Sequence, residues 1–366
     1  MLPPELVPDD GRFGSGPSKV SLDALDSLAK TGSAYMGTSH RRDGVRSVVS
    51  AIKSGLIDLY NLPKDYEVVL GVGGATIFWD AAAYSLIRHR SQHLLFGEFS
   101  SKFAAVVTGA NWLAKPEIVA SEIGTHPLPI PSMDVDVYAL THNETSTGVS
   151  MPIQRAGTDD SLVLVDATSA AGAMTVNPHE FDIYYFSPQK AMGSDGGLWL
   201  ALCSPSAIDR IDSITQAGRW IPPSLNLANA LDNSRKNQTY NTPGLATLFL
   251  LRFQIDRLNA NGGLTAAASH CEQNALFVYE WAQLSSYAEP FVSNPHQRSH
   301  TTVVVDLDPA VSANDVITVL AENGIIDLSG YRKLGRNQLR IGTWPSVTYK
   351  DIQRLTAAID YVVERL

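Results

Sequence analysis

Six short, almost unbroken apolar runs set the frame for this chain: "YEVVLGV" (66–72), "HLLF" (93–96), "VDVYALTH" (135–142), "SLVLVDA" (161–167), "DIYYFS" (182–187) and "GLWLALC" (197–203). Each is too short for an ordinary helix and too continuously apolar for a strand with one wet face. Strands of that kind are covered on both sides, and the helical patterns between the runs supply the cover. The body of the chain is therefore expected to be α/β, a mostly parallel sheet between helices. Beyond it, "QAGRWIPPSLNLANALDNSRKNQTYNTPG" (216–244) is polar, rich in proline and asparagine and without clear periodicity, and reads as a long functional loop. The pattern resumes with a strand at "HTTVVVDLD" (300–308), a helix near 312–322, a strand at "QLRIG" (338–342) and a closing helix. In that helix Ile352, Leu355, Ile359, Val362 and Leu366 recur at helical spacing. This predicts a smaller C-terminal α+β domain over 250–366, after a large domain over 18–249.

A chain of 366 residues, 44% hydrophobic and 18% charged, can bury cores of this size. Its formal net charge of −9 disfavours nucleic acid and anionic membrane as partners, because both recruit basic patches. The two cysteines, Cys203 and Cys271, have neither disulfide-framework nor metal-ligand spacing, so no metal is expected and a reducing cytoplasm fits. "MLPPELVPDDGRFG" lacks the apolar core of a signal peptide, and no later run approaches a membrane span.

The stretch that points to chemistry is "DIYYFSPQKAMGSDGG" (182–197), where Lys190 follows a buried strand and glycines follow the lysine. Lys190 can be read as an ordinary turn lysine or as a reagent. The strand "SLVLVDA" delivers Asp166 to the carboxyl edge of the sheet, where open α/β sheets place their ligands. A loop or cap aspartate is the alternative. A buried carboxylate needs a cationic partner, a protonated pyridine nitrogen is one, and a lysine amine condenses with an aldehyde. Together they suggest pyridoxal phosphate. "GVGGATIFWDAAAYSLI" (71–87) runs from a strand through glycines into a helix whose N-terminal N–H groups, with Thr76, can hold an anion; steric glycines are the other reading. "FGEFSSKF" (96–103) puts Phe99 either in the core or where it could stack on a flat ring.

With strand–GGAT–helix, "HNETSTG", "VDATSAAG" and "FSPQKAMGSDGG" in this order, the chain resembles the phosphoserine aminotransferases, class V members of the fold-type I pyridoxal phosphate enzymes, and most closely their actinobacterial form. The likeness runs from "FGSGPS" (13–18) to "GYRKLGRNQLRIG" (330–342). It implies that Lys190 bonds the cofactor aldehyde as a Schiff base and that Asp166 pairs with the pyridine nitrogen. It also implies that Thr145 bonds the phenolic oxygen and that Gly74, Ala75, Thr76 and Gln189 surround the phosphate. Phe99 stands where the better-known bacterial enzymes stack a tryptophan. Asn241 and Thr242 of "TYNTPG" are implied to reach the phosphate of the other subunit, hence a homodimer with shared sites. Residues 1–17 are expected near the site and the small domain.

The resemblance further implies glutamate and 3-phosphohydroxypyruvate as substrates in serine biosynthesis, and leaves open 4-phosphohydroxythreonine and a part in pyridoxine biosynthesis. One site must then grip an α-carboxylate and a distal anion, work suited to arginine. Arg340 is expected to take the α-carboxylate, and His40, Arg41 and Arg332 the distal anion, with Ser15 also touching substrate. Tyr331 stands where the family often has histidine. The basic "RHR" (88–90) reads as a helix C-terminus favoured by the helix dipole. The nearest rival is a class V aminotransferase acting on glyoxylate, which would not need two anion-reading segments. A cysteine desulfurase would need a mobile cysteine, and a non-catalytic regulator would not need Lys190 and Asp166.

Overall fold

The computed structural model describes residues 1–158 and 160–366. Its helices are α1 (Leu22–Thr31), α2 (Asp43–Tyr60), α3 (Ala75–Ser85), α4 (Glu98–Gly109), α5 (Pro205–Gln216), α6 (Leu227–Arg235), α7 (Leu245–Ala260), α8 (Gly263–Leu284), α9 (Ala313–Glu322) and α10 (Tyr349–Val363). Its strands are β1 (Glu67–Val72), β2 (Ser91–Leu95), β3 (Glu117–Ala120), β4 (Val137–Thr141), β5 (Asn143–Glu144), β6 (Val149–Ser150), β7 (Leu162–Asp166), β8 (Ile183–Phe186), β9 (Leu198–Cys203), β10 (Ala288–Pro290), β11 (Thr302–Leu307) and β12 (Gln338–Gly342).

Seven strands form the large sheet in the order β1-β9-β8-β7-β4-β2-β3, parallel from β8 to β3, with β9 antiparallel to both of its neighbours. All six apolar runs are in it. The seventh strand, β3, has no apolar run because it lies at an edge, where its residues alternate between half-buried and exposed. Alternate residues of each central strand feed opposite faces: Val163 and Val165 of β7 join a core with α2 and α7, while Leu162 and Leu164 join one with α3, α4 and α5. Asp166 continues the second series and so points to the α3 side.

Three further strands, β10-β11-β12, make a small antiparallel sheet backed by α8, α9 and α10. The division expected at 249/250 falls within α7, whose Leu248, Leu251 and Ile255 all belong to the core of the large sheet. Packing changes over along α8: Leu264 and Ala267 join that core, and Cys271, Ala275 and Val278 join the small one. In the closing helix Ile352, Leu355, Ile359 and Val362 are buried as expected, but Leu366 lies past the helix end and is exposed.

Two other expectations are corrected. The segment 216–244 is not all loop, because it contains α6, capped by the Asn226 side chain and burying Leu227, Ala230, Leu231 and Ser234 at helical spacing. Arg88, His89 and Arg90 do not end a helix: α3 stops at Ser85, and the three backbone N–H groups converge on the Asp136 carboxylate at 2.9, 2.7 and 3.0 Å. A turn clamped by an aspartate replaces the helix-dipole account.

The N-terminal segment is laced to the small sheet. Phe13 accepts from Gly342 N–H (2.7 Å) and donates to Ile326 (3.3 Å), and Gly14 accepts from the Trp344 indole (2.8 Å). Behind it the buried Lys19 amine lies 3.8 Å from both Asp10 and Asp351 and donates to the Asp10 carbonyl. Burial lowers the Lys19 pKa, so the two carboxylates hold a charge that the site would otherwise expel. Lys19→Ala leaves Asp351 buried beside no cation and should cost about 3 kcal/mol, read from the denaturant midpoint; an unchanged midpoint would show that the ion cluster does not hold the segment.

Candidate active site

Lys190 lies in the tight turn after β8, closed by Gly193 N–H to its own carbonyl (2.9 Å). Gly193 and Gly197 take the left-handed conformations, φ +53° and +93°, that reverse the chain into β9, which explains the glycines behind the lysine. The lysine faces a cavity of about 370 Å³ at the carboxyl ends of the parallel strands, shared with Asp166, Thr145, Gln189, Phe99, Gly74, Ala75 and Thr76. Eight sequence-predicted residues are thus brought together.

The Lys190 amine donates to the Ser15 carbonyl (2.8 Å) and lies 5.9 Å from the Phe99 ring centre and 5.8 Å from that of Trp344. Its neighbour Gly16, also on the cavity wall, has φ +136°, and a Cβ there would come within 2.2 Å of Lys190 Cε. Burial, aided by the nearby Arg340 charge, lowers the lysine pKa to about 8; Asp166 and Glu144 pull the other way. Asp166 ends β7 almost fully buried, one oxygen accepting Thr168 N–H at 2.9 Å. Burial raises its pKa, and the Thr168 bond offsets part of that.

Gly73 and Gly74 turn β1 into α3 with φ of +109° and +79°. No side chain caps that helix, so its leading N–H groups stay free to face an anion. Arg340 of β12, half-buried, is not among the residues that line this cavity but lies against Thr145, which is. One of its nitrogens donates to the Thr145 carbonyl (3.0 Å), its guanidinium carbon lies 5.4 Å from the Tyr331 ring centre, and its buried Nε has no partner. Tyr331 in turn meets Phe99 edge to face at 6.4 Å, and the next-but-one residue, Lys333, pairs with Glu98 at the start of α4.

Several contributors were not foreseen. Glu144, fully buried, accepts from Phe99 and Ser100 N–H (both 3.0 Å) and from the Ser146 hydroxyl (2.7 Å), fixing the start of α4 and with it Phe99. Asn143, Thr168 and Trp79 line the cavity. The first two sit within a residue or two of predicted positions, and Trp79 is one helical turn from Thr76, so spacing alone could have flagged them. Asn241, Thr242, Arg41 and Arg332 are exposed and His40 half-buried, and none lines the cavity of its own chain.

Whether pyridoxal phosphate suits the cavity is answered by its unused polar atoms. Asn143 Oδ1, Thr168 Oγ1 and Gln189 Oε1 on its lining are buried without a protein partner, an expensive arrangement unless a polar ligand meets them, and Ser15 Oγ and Arg340 Nε, outside that lining, are unpartnered too. The residues present fit the group: an amine, a carboxylate, an aromatic face and an uncapped helix start around one slot.

A family model described as aminotransferase class-V matches residues 120–355. A phosphoserine aminotransferase of Nocardioides sp. is 52% identical over 100% of this chain and 99% of its own length, and one from Rhodococcus jostii is 50% identical over 100% and 98%. The chain belongs to the phosphoserine aminotransferases. The crystal structure of a family member from Cytophaga hutchinsonii superposes with a TM-score of 0.87 at 24% identity, covering 95% of this chain and 98% of that one. The fold is that of the fold-type I aminotransferases, and the phosphoserine aminotransferase cofactor, pyridoxal phosphate, is the group for which the cavity is built.

The Lys190 pKa has a thermodynamic signature in the cofactor-free protein. Between about 8 and the ordinary 10.5 the unfolded chain holds a proton on this lysine that the folded one has lost, so stability rises with pH across that window. Lys190→Met should remove up to about 3 kcal/mol of that rise, seen as the difference between the two proteins' denaturation curves from pH 7 to 10.5. Parallel curves would mean the amine is not desolvated.

Proposed function

We propose that the chain exchanges an amino group between L-glutamate and 3-phosphohydroxypyruvate, giving 2-oxoglutarate and O-phospho-L-serine for serine biosynthesis. The observation that carries this reading is the half-buried Arg340, held by the Thr145 carbonyl with its buried Nε still unpartnered, a fixed cation where an α-carboxylate would sit when its amino group meets the lysine. Family membership supports the same substrates.

Bound pyridoxal phosphate supplies an aldehyde for amines and a protonated ring that draws electrons from the substrate Cα. The chain supplies the rest. Lys190, whose amine is half uncharged near pH 8, would take the Cα proton and return it to the cofactor's aldehyde carbon. Asp166 would pair with the ring nitrogen and keep its proton in place. Gly74, Ala75 and Thr76 would hold the phosphate through N–H and hydroxyl groups with Gln189 beside it, Thr145 would bond the phenolic oxygen, and Phe99 would stack on the ring. Arg340 orients the α-carboxylate so that the Cα–H bond points toward Lys190. Ser15, on the segment that touches the lysine, adds a hydroxyl toward substrate.

Exposure of Asn241, Thr242, Arg41 and Arg332 on their own chain supports a homodimer in which Asn241 and Thr242 reach the phosphate of the partner's cofactor. His40 and Arg41 join Arg332 around the distal anion. In this reading the chain divides into a cofactor-holding domain and a smaller C-terminal one, 18–249 and 250–366, joined through α7 and α8. Among the described residues no helix is long and apolar enough to cross a membrane. Both cysteines are buried and free, as suits a cytoplasmic enzyme.

Three experiments test the reading. Enzyme converted by glutamate to the amine form of the cofactor should recover its original absorbance rapidly with 3-phosphohydroxypyruvate and slowly with glyoxylate; the reverse order would favour the glyoxylate-type rival. Arg340→Ala should lower kcat/KM about a hundredfold for both glutamate and the keto acid, the loss of a roughly 3 kcal/mol charge-assisted contact. Lys190→Ala should have no turnover while still taking up cofactor noncovalently, and a loss confined to one substrate in Arg340→Ala would reassign that arginine to the distal anion.

A further inference from the structure

Asp166 is a buried anion with one oxygen engaged by a backbone N–H, which raises the question of what else keeps it ionised. Parallel strands β7 and β8 place Asp166 opposite Tyr185, so both side chains leave the sheet on the α3 face. The Tyr185 ring is completely buried and fixed there, stacked on Phe78 (centroids 4.3 Å apart) and edge-on to Phe103. Its hydroxyl accepts a hydrogen bond from the indole N–H of Trp79 at 2.9 Å. Trp79 and Asp166 both line the cavity.

A phenol that accepts from Trp79 still has its own proton to give. Among the described residues it gives that proton to no backbone carbonyl, and burial holds the phenol well above its ordinary pKa, so the proton is present throughout the working range. The carboxylate of Asp166, at the register position opposite Tyr185 on the neighbouring strand and on the same face of the sheet, is the acceptor the fold offers that proton. We propose that Tyr185 is a positioning residue for the reaction: its hydroxyl, anchored by Trp79, donates to Asp166 and keeps that carboxylate anionic where it meets the cofactor's ring nitrogen. The proposal rests on the reading of Asp166 given above.

The chemistry gives the sign. A donor aimed at a carboxylate favours the anion and opposes the effect of burial. With the donor removed, Asp166 becomes the stronger base. The proton shared with the ring nitrogen shifts toward the carboxylate, and in the cofactor-free protein Asp166 protonates at higher pH. Cofactor affinity then falls, and falls further as pH is lowered, because a neutral acid cannot pair with the protonated ring. A residue that served packing alone would weaken binding equally at every pH.

The test uses Tyr185→Phe, which keeps the contacts with Phe78 and Phe103 and deletes one oxygen. The whole enzyme, loaded with cofactor carrying ¹⁵N in the ring, is compared with wild type by ¹⁵N chemical shift and by cofactor dissociation constant from pH 6 to 9. In wild type the resonance should lie at the protonated position. In Tyr185→Phe it should move toward the unprotonated one, and the cofactor should bind about tenfold more weakly near neutrality, with the deficit widening as pH falls. Trp79→Phe, which leaves the hydroxyl without its anchor, should shift the resonance the same way by less, and the double variant should be no worse than Tyr185→Phe alone.

An unmoved resonance in Tyr185→Phe overturns the proposal even if affinity drops. Should that variant not fold, an unmoved resonance in Trp79→Phe does so. A wild-type ring nitrogen that is itself unprotonated would fail differently, removing the Asp166 assignment and with it this proposal.

Discussion

The dehydration of one amine governs this molecule. Lys190 sits where water is largely excluded, so its charged form is disfavoured and a free amine is available near pH 8. Nothing in a solvated turn would do the same. To keep that position dry, β7 is apolar and buried up to the Asp166 that ends it, and β8 is buried throughout. The cost is that every other polar group brought to the same place is dehydrated too, Asp166, Glu144 and Arg340 among them. Each of these is met by specific partners: Thr168 N–H for Asp166, the start of α4 for Glu144, the Thr145 carbonyl for Arg340. Charge is thus balanced locally among these four groups.

The arrangement also links Arg340 mechanically to the start of α4. Arg340 lies by the face of Tyr331, Tyr331 touches Phe99, and Phe99 is fixed by the Glu144 carboxylate at the head of α4. In the proposed reading a substrate carboxylate drawn to Arg340 would press, through one aromatic ring, on the surface proposed to stack against the cofactor. Lys333 and Glu98 close the same span on the outside.

How legible this was in the sequence depended on whether a feature's signal was local. The six central strands are buried on both faces, so apolarity alone marked them; edge strand β3, with its exposed Ile118, carries no such mark. Helix α6 hides in a polar segment because fewer than half of its residues are buried, and the asparagines around it read as loop. Lys190 and Asp166 stood out because a charge directly after a buried strand is unusual. Tyr185 did not, since inside "DIYYFS" it looks like one more core aromatic and its role depends on a register between strands distant in sequence. Exposed Asn241 and Thr242 could be linked to a cofactor only by family likeness, because their own chain offers them no cavity.

The N-terminal strap carries a consequence for the order in which the protein comes into being. Ser15 holds the lysine amine and Ser18 binds the Gln189 carbonyl, yet the strap itself is secured by Ile326, Gly342, Trp344 and Asp351. Those anchors lie far downstream in the chain and are made long after the strap. The strap must therefore wait, unplaced, until they have been made and folded, and the nascent chain cannot hold a finished pocket before then.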